Sequence, residues 1–275
     1  MKIDFHTHTT ASDGTYTIEE ILNEAENKKI EYFAITDHDT VDGIKHIKNI
    51  SKKMTFITGV EISAEFPSTL HILGYGFELE NEKLNLKLEE LQEFRKTRNI
   101  NMLKKMEKLG FQVNMEELIE EAGSDLVGRP HFANVMLKKG YVKTFDEAFD
   151  KYLKKGAPLY IDKKRLSPEE SIQLIHEAGG IAVMAHPYQT GKEGKEMDSL
   201  IKQLVSYGLG GIEVYYSQHT TKMIEEFNGY AEKYNLIKTA GSDFHGSNKP
   251  HIQLGMNVEA SDIAEFLSFA DEKNI

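Results

Sequence analysis

Lys2-Ile3-Asp4-Phe5-His6-Thr7-His8, a helical pattern from Thr17 to Lys28, and Tyr32-Phe33-Ala34-Ile35-Thr36-Asp37-His38 decide the fold class of this chain. A short apolar strand that runs into polar, histidine-bearing residues is repeated on either side of a helix. Thr17-x-x-Glu20 ahead of Ile21-Leu22 forms a capping box with Thr17 as N-cap. A second helix is expected near Val41 to Ser51, and a third strand over Thr55-Phe56-Ile57-Thr58-Gly59-Val60. His71-Ile72-Leu73-Gly74-Tyr75 reads as one more strand. Strands alternating with helices imply βα units and a mostly parallel sheet.

From about Asn81 to Lys155 the pattern is helical only. It opens with a long run carrying Leu84, Leu88, Leu91 and Phe94 and ends near Leu109-Gly110. Later helices are expected over Met115 to Ala122, Pro130 to Lys139 and Phe145 to Lys154. The alternation resumes with Ser167-Pro168-Glu169-Glu170 opening a helix, Pro168 sitting at the first helical position. Apolar runs follow at Ile181 to Ala185, Gly211 to Tyr215 and Ile237 to Ala240. The reading is an α/β fold interrupted by a helical insertion.

The 275 residues include no cysteine, so disulfides, thiolate metal sites and a cysteine nucleophile are excluded, and any metal chemistry must use imidazole and carboxylate. With 33 basic and 44 acidic residues, the net charge of −11 argues against a broad basic surface for duplex DNA. Small anionic substrates and single-stranded ends stay open, because bound divalent cations reverse the sign locally. No charged and then apolar leader opens the chain, and no run of roughly 18 apolar residues occurs. The expectation is a cytoplasmic protein with no membrane contact.

The strong ligand candidates fall at the C-terminal ends of the strands or just beyond, where α/β barrels build active sites. His6 and His8, two apart on an extended segment, project to one side. Asp13 follows in a polar turn, then His38, Glu61 and His71, and beyond the insertion His186 and Asp243 with His245. Taken singly, His6-x-His8 fits a polar strand, Asp39 a helix cap, Glu61 a solvated strand end and His186-Pro187 a turn. Together, six of the 11 histidines and three acidic residues recur at one end of five or six strands, as a metal cluster requires. His46, His176 and His219 fall within helical patterns and receive no role.

The motifs His6-x-His8, Asp13-Gly14, Thr36-Asp37-His38, Glu61, His71, Ala185-His186-Pro187 and Gly241-Ser242-Asp243-Phe244-His245 resemble those of the PHP (polymerase and histidinol phosphatase) superfamily. Their order and spacing match its stand-alone phosphoesterases over residues 1–75 and 160–275. Gly128-Arg129-Pro130-His131-Phe132-Ala133 resembles the inserted helical region of the subgroup of nucleoside 3′,5′-bisphosphate phosphatases and 5′–3′ exoribonucleases. The resemblance implies a distorted (βα)7 barrel over residues 1–80 and 156–275, with 81–155 as an inserted helical lid.

It further implies three divalent metal ions, manganese, iron or zinc. His6, His8, Glu61 and Asp243 would hold the first, with Glu61 bridging to a second held by His71 and His186. Asp13, His38 and His245 would hold the third. The implied activity is hydrolysis of a nucleotide phosphate monoester, or trimming of a short 5′-phosphorylated RNA end, by metal-activated hydroxide. Glu61, Asp243, His186 and His131 are the catalytic candidates. Arg129, whose planar fork suits phosphate, is the expected clamp on a second phosphate; the plain alternative is a helix-start arginine paired with a carboxylate. His131 is expected to touch substrate or act as general acid. The competing readings are an amidohydrolase-type hydrolase, which would use a lysine where Glu61 stands, and a non-catalytic metal- or nucleotide-binding module.

Overall fold

The computed structural model describes all residues except 46, 48, 49, 123–126, 163 and 275. In chain order its elements are β1 (Lys2–Asp4), α1 (Ile18–Asn27), β2 (Tyr32–Ile35), β3 (Thr55–Ser63), β4 (His71–Tyr75), α2 (Glu82–Lys108), α3 (Met115–Ala122), α4 (Arg129–Lys138) and α5 (Phe145–Ala148). After a π-helical turn at Phe149–Leu153 come α6 (Pro168–Glu177), β5 (Ile181–Met184), α7 (Gly194–Ser206), β6 (Gly211–Tyr216), α8 (Thr221–Tyr234), β7 (Ile237–Gly241), β8 (Met256–Asn257) and α9 (Ala264–Glu272). Both anticipated caps form: Thr17 and Ser167 each accept the backbone N–H three residues on, and Glu20 and Glu170 reach back to the N-cap amides.

One sheet runs in the order β7-β6-β5-β4-β3-β2-β1-β8. Beyond β1 the chain crosses to β7: Phe5 N–H donates to Ala240 O at 3.2 Å, Asp243 N–H to His6 O at 2.8 Å and His8 N–H to Phe244 O at 2.9 Å. The sheet is thereby nearly closed into a barrel. The parallel expectation holds for β1/β2/β3 and β5/β6/β7 but not for β4, which pairs antiparallel with both β3 and β5. Reversal of β4 places its first residue, His71, opposite Ser63 at the end of β3. His71 therefore reaches the common end from a strand start, which corrects the expectation of strand ends throughout.

Alternation along the strands sorts the core. One face supplies Phe33, Ile35, Phe56, Val60, Ile72, Met184, Ile212 and Val214 to a cluster shared with Ile21, Ile172, Ile201 and Phe227 of the outer helices. The other supplies Ile3, Phe5, Ala34, Ile57, Leu73, Tyr75, Val183 and Ala240, which pack with Phe266 and Ala270 of α9. Phe5 and Phe266 meet edge to face, 4.7 Å between centroids. Glu61 lies four residues beyond Ile57 and so shares its face, and Glu213, between Ile212 and Val214 of the outer face, points to the same side.

A third apolar cluster, with Met102, Met106, Leu118, Phe132, Met136 and Leu153, belongs to residues 102–161. The helix expected over 41–51 is absent among the described residues there, which form turns; Val41 and Ile44 are buried without a hydrogen-bonded helix. Asp39 Oδ1 accepts from Ser63 N–H at 3.0 Å and its Oδ2 from Arg95, and the described residues that follow it, up to β3, hold no helix for it to cap. His219 lies in the turn between β6 and α8 rather than in a helix, His176 is on α6 as expected, and His46 lies outside the described residues.

Candidate metal centre

Three groups of side chains each bring one nitrogen or carboxylate oxygen per residue within 4.8 Å of one another: His6, His8, Glu61 and Asp243; His8, Asp13, His38 and His245; and His38, Glu61 and His71. Glu61, fully buried, joins them. Its Oε1 faces His71 Nδ1 at 2.8 Å and His186 Nε2 at 2.9 Å, while Oε2 faces His38 Nδ1 at 3.0 Å, His8 Nε2 at 3.2 Å and His6 Nε2 at 3.3 Å. All nine expected ligand residues thus meet. The first and third expected sets are present as such, the third gaining His8. In the middle group His38 stands with Glu61 and His71, while His186 joins through Glu61.

The electrostatics are those of a site waiting for positive charge. Burial opposes a proton on His6, but the carboxylates of Glu213, Glu61 and Asp243 outweigh it and hold the ring well above the ordinary imidazole range. His8, likewise buried, is raised to about 9 by Asp243, Glu61 and Asp13. Burial would raise Glu61 and Asp243, yet the surrounding histidines, and Lys249 at Asp243, hold both well below the carboxylate range. A divalent cation satisfies the same field. Four buried atoms of the cluster, His6 Nε2, His8 Nε2, His38 Nδ1 and Glu61 Oε2, have no hydrogen-bond partner among the described residues. Buried polar atoms are seldom left unpaired, and an all-nitrogen-and-oxygen donor set suits manganese, iron or zinc, so the residues fit the ions.

Residues that received no role in the sequence hold these groups in place. Glu213 Oε1 meets His6 Nδ1 at 2.9 Å and its Oε2 accepts the His186 amide at 2.7 Å. A carboxylate behind a ring nitrogen fixes which nitrogen faces the ion. Tyr216 O–H and Lys249 Nζ both donate to Asp243 Oδ2, at 2.8 and 2.6 Å, leaving Oδ1 toward His6 and His8. Asp37 accepts from Thr9 N–H and from the hydroxyls of Thr9 and Ser12, fixing the turn that carries Asp13. Glu213 is a carboxylate inside an apolar strand, and that was the available signal.

Backbone strain collects here. Asp39, His186 and Asp243 have φ of 53°, 23° and 61°. A side chain in this region costs about 1–3 kcal/mol, and such residues cluster at functional sites.

A cavity of about 530 Å³ opens beside the cluster, lined by Asp13, His38, His245, Lys249, Pro130 and His131 among others. A larger one, about 850 Å³ among Leu103, Phe111 and Met115, lies in the helical segment away from any ligand group. His131, 3% exposed, accepts the Gly128 amide on Nδ1 at 2.9 Å, so its neutral ring carries the proton on Nε2. Burial lowers its pKa and keeps it neutral. Arg129, half-buried, sets its guanidinium 5.0 Å over the Tyr160 ring and 3.4 Å from Leu153 O, and among the described residues it meets no carboxylate.

No helix among the described residues is long and apolar enough to cross a membrane. A Haemophilus influenzae protein named 5′-3′ exoribonuclease is 31% identical over 264 residues, 95% of this chain and 96% of its own. The 3′,5′-nucleoside bisphosphate phosphatase of Chromobacterium violaceum is 30% identical over 257 residues, 92% and 90% of the two chains. A solved Chromobacterium violaceum structure, described as an amidohydrolase with bound sulfate and no metal, superposes with a TM-score of 0.86 at 27% identity over 99% of this chain and 97% of its own. The PHP domain model matches residues 4–266, and the chain belongs to the PHP domain family.

Proposed function

We propose that this protein is a metal-dependent phosphoesterase that removes a phosphate from a nucleoside 3′,5′-bisphosphate or trims the end of a short 5′-phosphorylated RNA. The observation that carries the metal dependence is the set of four partnerless buried atoms facing one another around Glu61. The phosphoester class is supported by the names of the relatives. His6, His8, Glu61 and Asp243 would hold one ion, Glu61, His71 and His186 a second, and Asp13, His38 and His245 a third, as manganese, iron or zinc. Ions bound there would supply hydroxide near neutral pH and neutralise charge on the phosphoryl oxygens.

Glu61, Asp243 and His186 act by holding those ions, and Tyr216, Lys249 and Glu213 by holding the holders. His131 is assigned to substrate: with Nδ1 committed to the Gly128 amide, its Nε2–H is a hydrogen-bond donor to a phosphate or leaving oxygen. A neutral imidazole is a weak general acid near pH 7, so contact with substrate is favoured over proton transfer. Residues 81–155 serve as a lid, bringing Arg129 and the start of α4 to a second phosphate.

Arg129→Ala tests the two-phosphate reading. It should depress kcat/KM for a 3′,5′-bisphosphate at least tenfold more than for p-nitrophenyl phosphate, since only the former gains binding energy from a remote group. Equal losses would place Arg129 at the metal centre or in folding. An aminated substrate in the same assay discriminates the amidohydrolase reading, which the description of the similar Chromobacterium violaceum structure brings forward.

A further inference from the structure

We propose that Asp4 is a positioning residue for the set of His6, His8, Glu61 and Asp243: one buried carboxylate that binds the backbone at both ends of the set and so fixes how far His6 stands from Asp243. Asp4 ends β1 and is fully buried. Its neighbours Ile3 and Phe5 pack toward α9. Alternation turns Asp4 to the opposite face, where the chain leaves β7 at Ser242 and enters β8 from Gly255.

Among the described residues Asp4 takes four hydrogen bonds. Its Oδ1 accepts the backbone N–H of Ser242 at 2.8 Å and of His6 at 3.2 Å, and its Oδ2 accepts the Ser242 hydroxyl at 2.6 Å and the Gly255 N–H at 2.8 Å. An ionised carboxylate offers about four acceptor sites, so this one is fully used. The donors of Ser242 and Gly255 come from 238 and 251 positions along the chain.

Those donors stand at the ligands. Ser242 immediately precedes Asp243, whose φ of 61° is left-handed, a conformation that persists only where the surroundings hold it. The two bonds from Ser242 to Asp4, and the bond from Asp243 N–H to His6 O at 2.8 Å, supply that hold. Asp243 Oδ1 then stands 3.6 Å from His6 Nε2 and 3.3 Å from His8 Nε2. The Gly255 bond pins the far end of residues 242–255, the segment that also carries His245 and reaches Asp13 O through Asn248 Nδ2 at 2.8 Å. Burying a carboxylate is costly, and a brace alone would be served by an apolar side chain. What the carboxylate adds is a set distance between two backbones. The inference rests on the metal-dependent reading of the site, and its test separates the two.

Manganese titrated calorimetrically into the full chain, stripped with EDTA and freed of chelator, is that test. Asp4→Ala, folded by circular dichroism, should bind manganese about 10–100-fold more weakly than the wild type, as when a group that orients a ligand is lost. Asp4→Asn keeps one carbonyl oxygen for the His6 and Ser242 N–H groups; its side-chain NH2 can donate to the Ser242 hydroxyl and opposes only the Gly255 N–H. Asp4→Asn should therefore melt lower than the wild type yet bind manganese within about threefold of it. Activity lost by Asp4→Ala at micromolar manganese should return at millimolar manganese with KM unchanged. A role in folding alone would lower the Tm of both variants and leave the manganese affinity of the folded protein as it was, which overturns the proposal. Equal losses of affinity in Asp4→Asn and Asp4→Ala also overturn it, since charge rather than the backbone contacts would then be the cause. Where Asp4→Ala does not fold, Asp4→Ser, whose hydroxyl accepts one N–H, takes its place under the same outcomes. If the wild type takes up no manganese, the metal-dependent reading falls and this one with it; if the wild type does and Asp4→Ala matches it, this one falls alone.

Discussion

Glu61 gives both carboxylate oxygens to the cluster, with contacts of 2.8 to 3.3 Å to five histidines, and is fully buried on its strand face. Glu61→Gln keeps the volume and removes the charge. It should leave the fold intact by circular dichroism while cutting turnover on a phosphoester with manganese more than tenfold; retained activity above a tenth would contradict its placement between ions. Glu213 acts one step further out, so Glu213→Gln should cost about 10–100-fold in metal affinity with little change in KM. A calorimetric titration reads the first and initial rates the second. Glu61 was legible because four motifs of the same kind surround it in the sequence. Glu213, Tyr216 and Lys249 were not, because each acts through another side chain; Glu213 showed only as a carboxylate in an apolar strand, and nothing local marks Tyr216, whose partner is 27 positions away, or Lys249, whose partner lies past a turn.

Closure of the barrel depends on how near β7 comes to the segment after β1. A Cβ on Gly241 would stand 2.2 Å from His6 Cβ and 2.8 Å from His6 N. Gly241→Ala must push the histidine segment off β7, costing about 1–3 kcal/mol as overpacking does and weakening metal binding with it. Gly229, inside α8 with nothing within 4 Å of its would-be Cβ, offers the control: Gly229→Ala should melt at or above the wild-type temperature. Thermal melts of the two variants, with bound metal measured on each, check the pair. Element positions were largely legible because period-2 and period-3.6 apolar patterns and capping boxes are local. The direction of β4 was not, since an isolated five-residue strand carries no sign of which way it will pair. The region 41–51 fooled the pattern because Val41 and Ile44 have helical spacing yet are buried by turns packed on the barrel.

The molecule as a whole places an acidic, cysteine-free chain around an inward-facing nest of imidazoles and carboxylates. A helical segment with its own apolar cluster stands beside the mouth. The net charge of −11 spread over the surface and the cation-seeking cluster within are separate matters, because burial lets the inner carboxylates act at close range without screening. Order and type of the clustered side chains were readable across more than 230 residues, from His6 to His245, because each stands in a short local motif. The central claim is that this cluster holds several ions at once. Elemental analysis of the protein, stripped, reconstituted with manganese, iron or zinc and freed of excess ion, should return more than one ion per chain; a reproducible value of zero or one would contradict it.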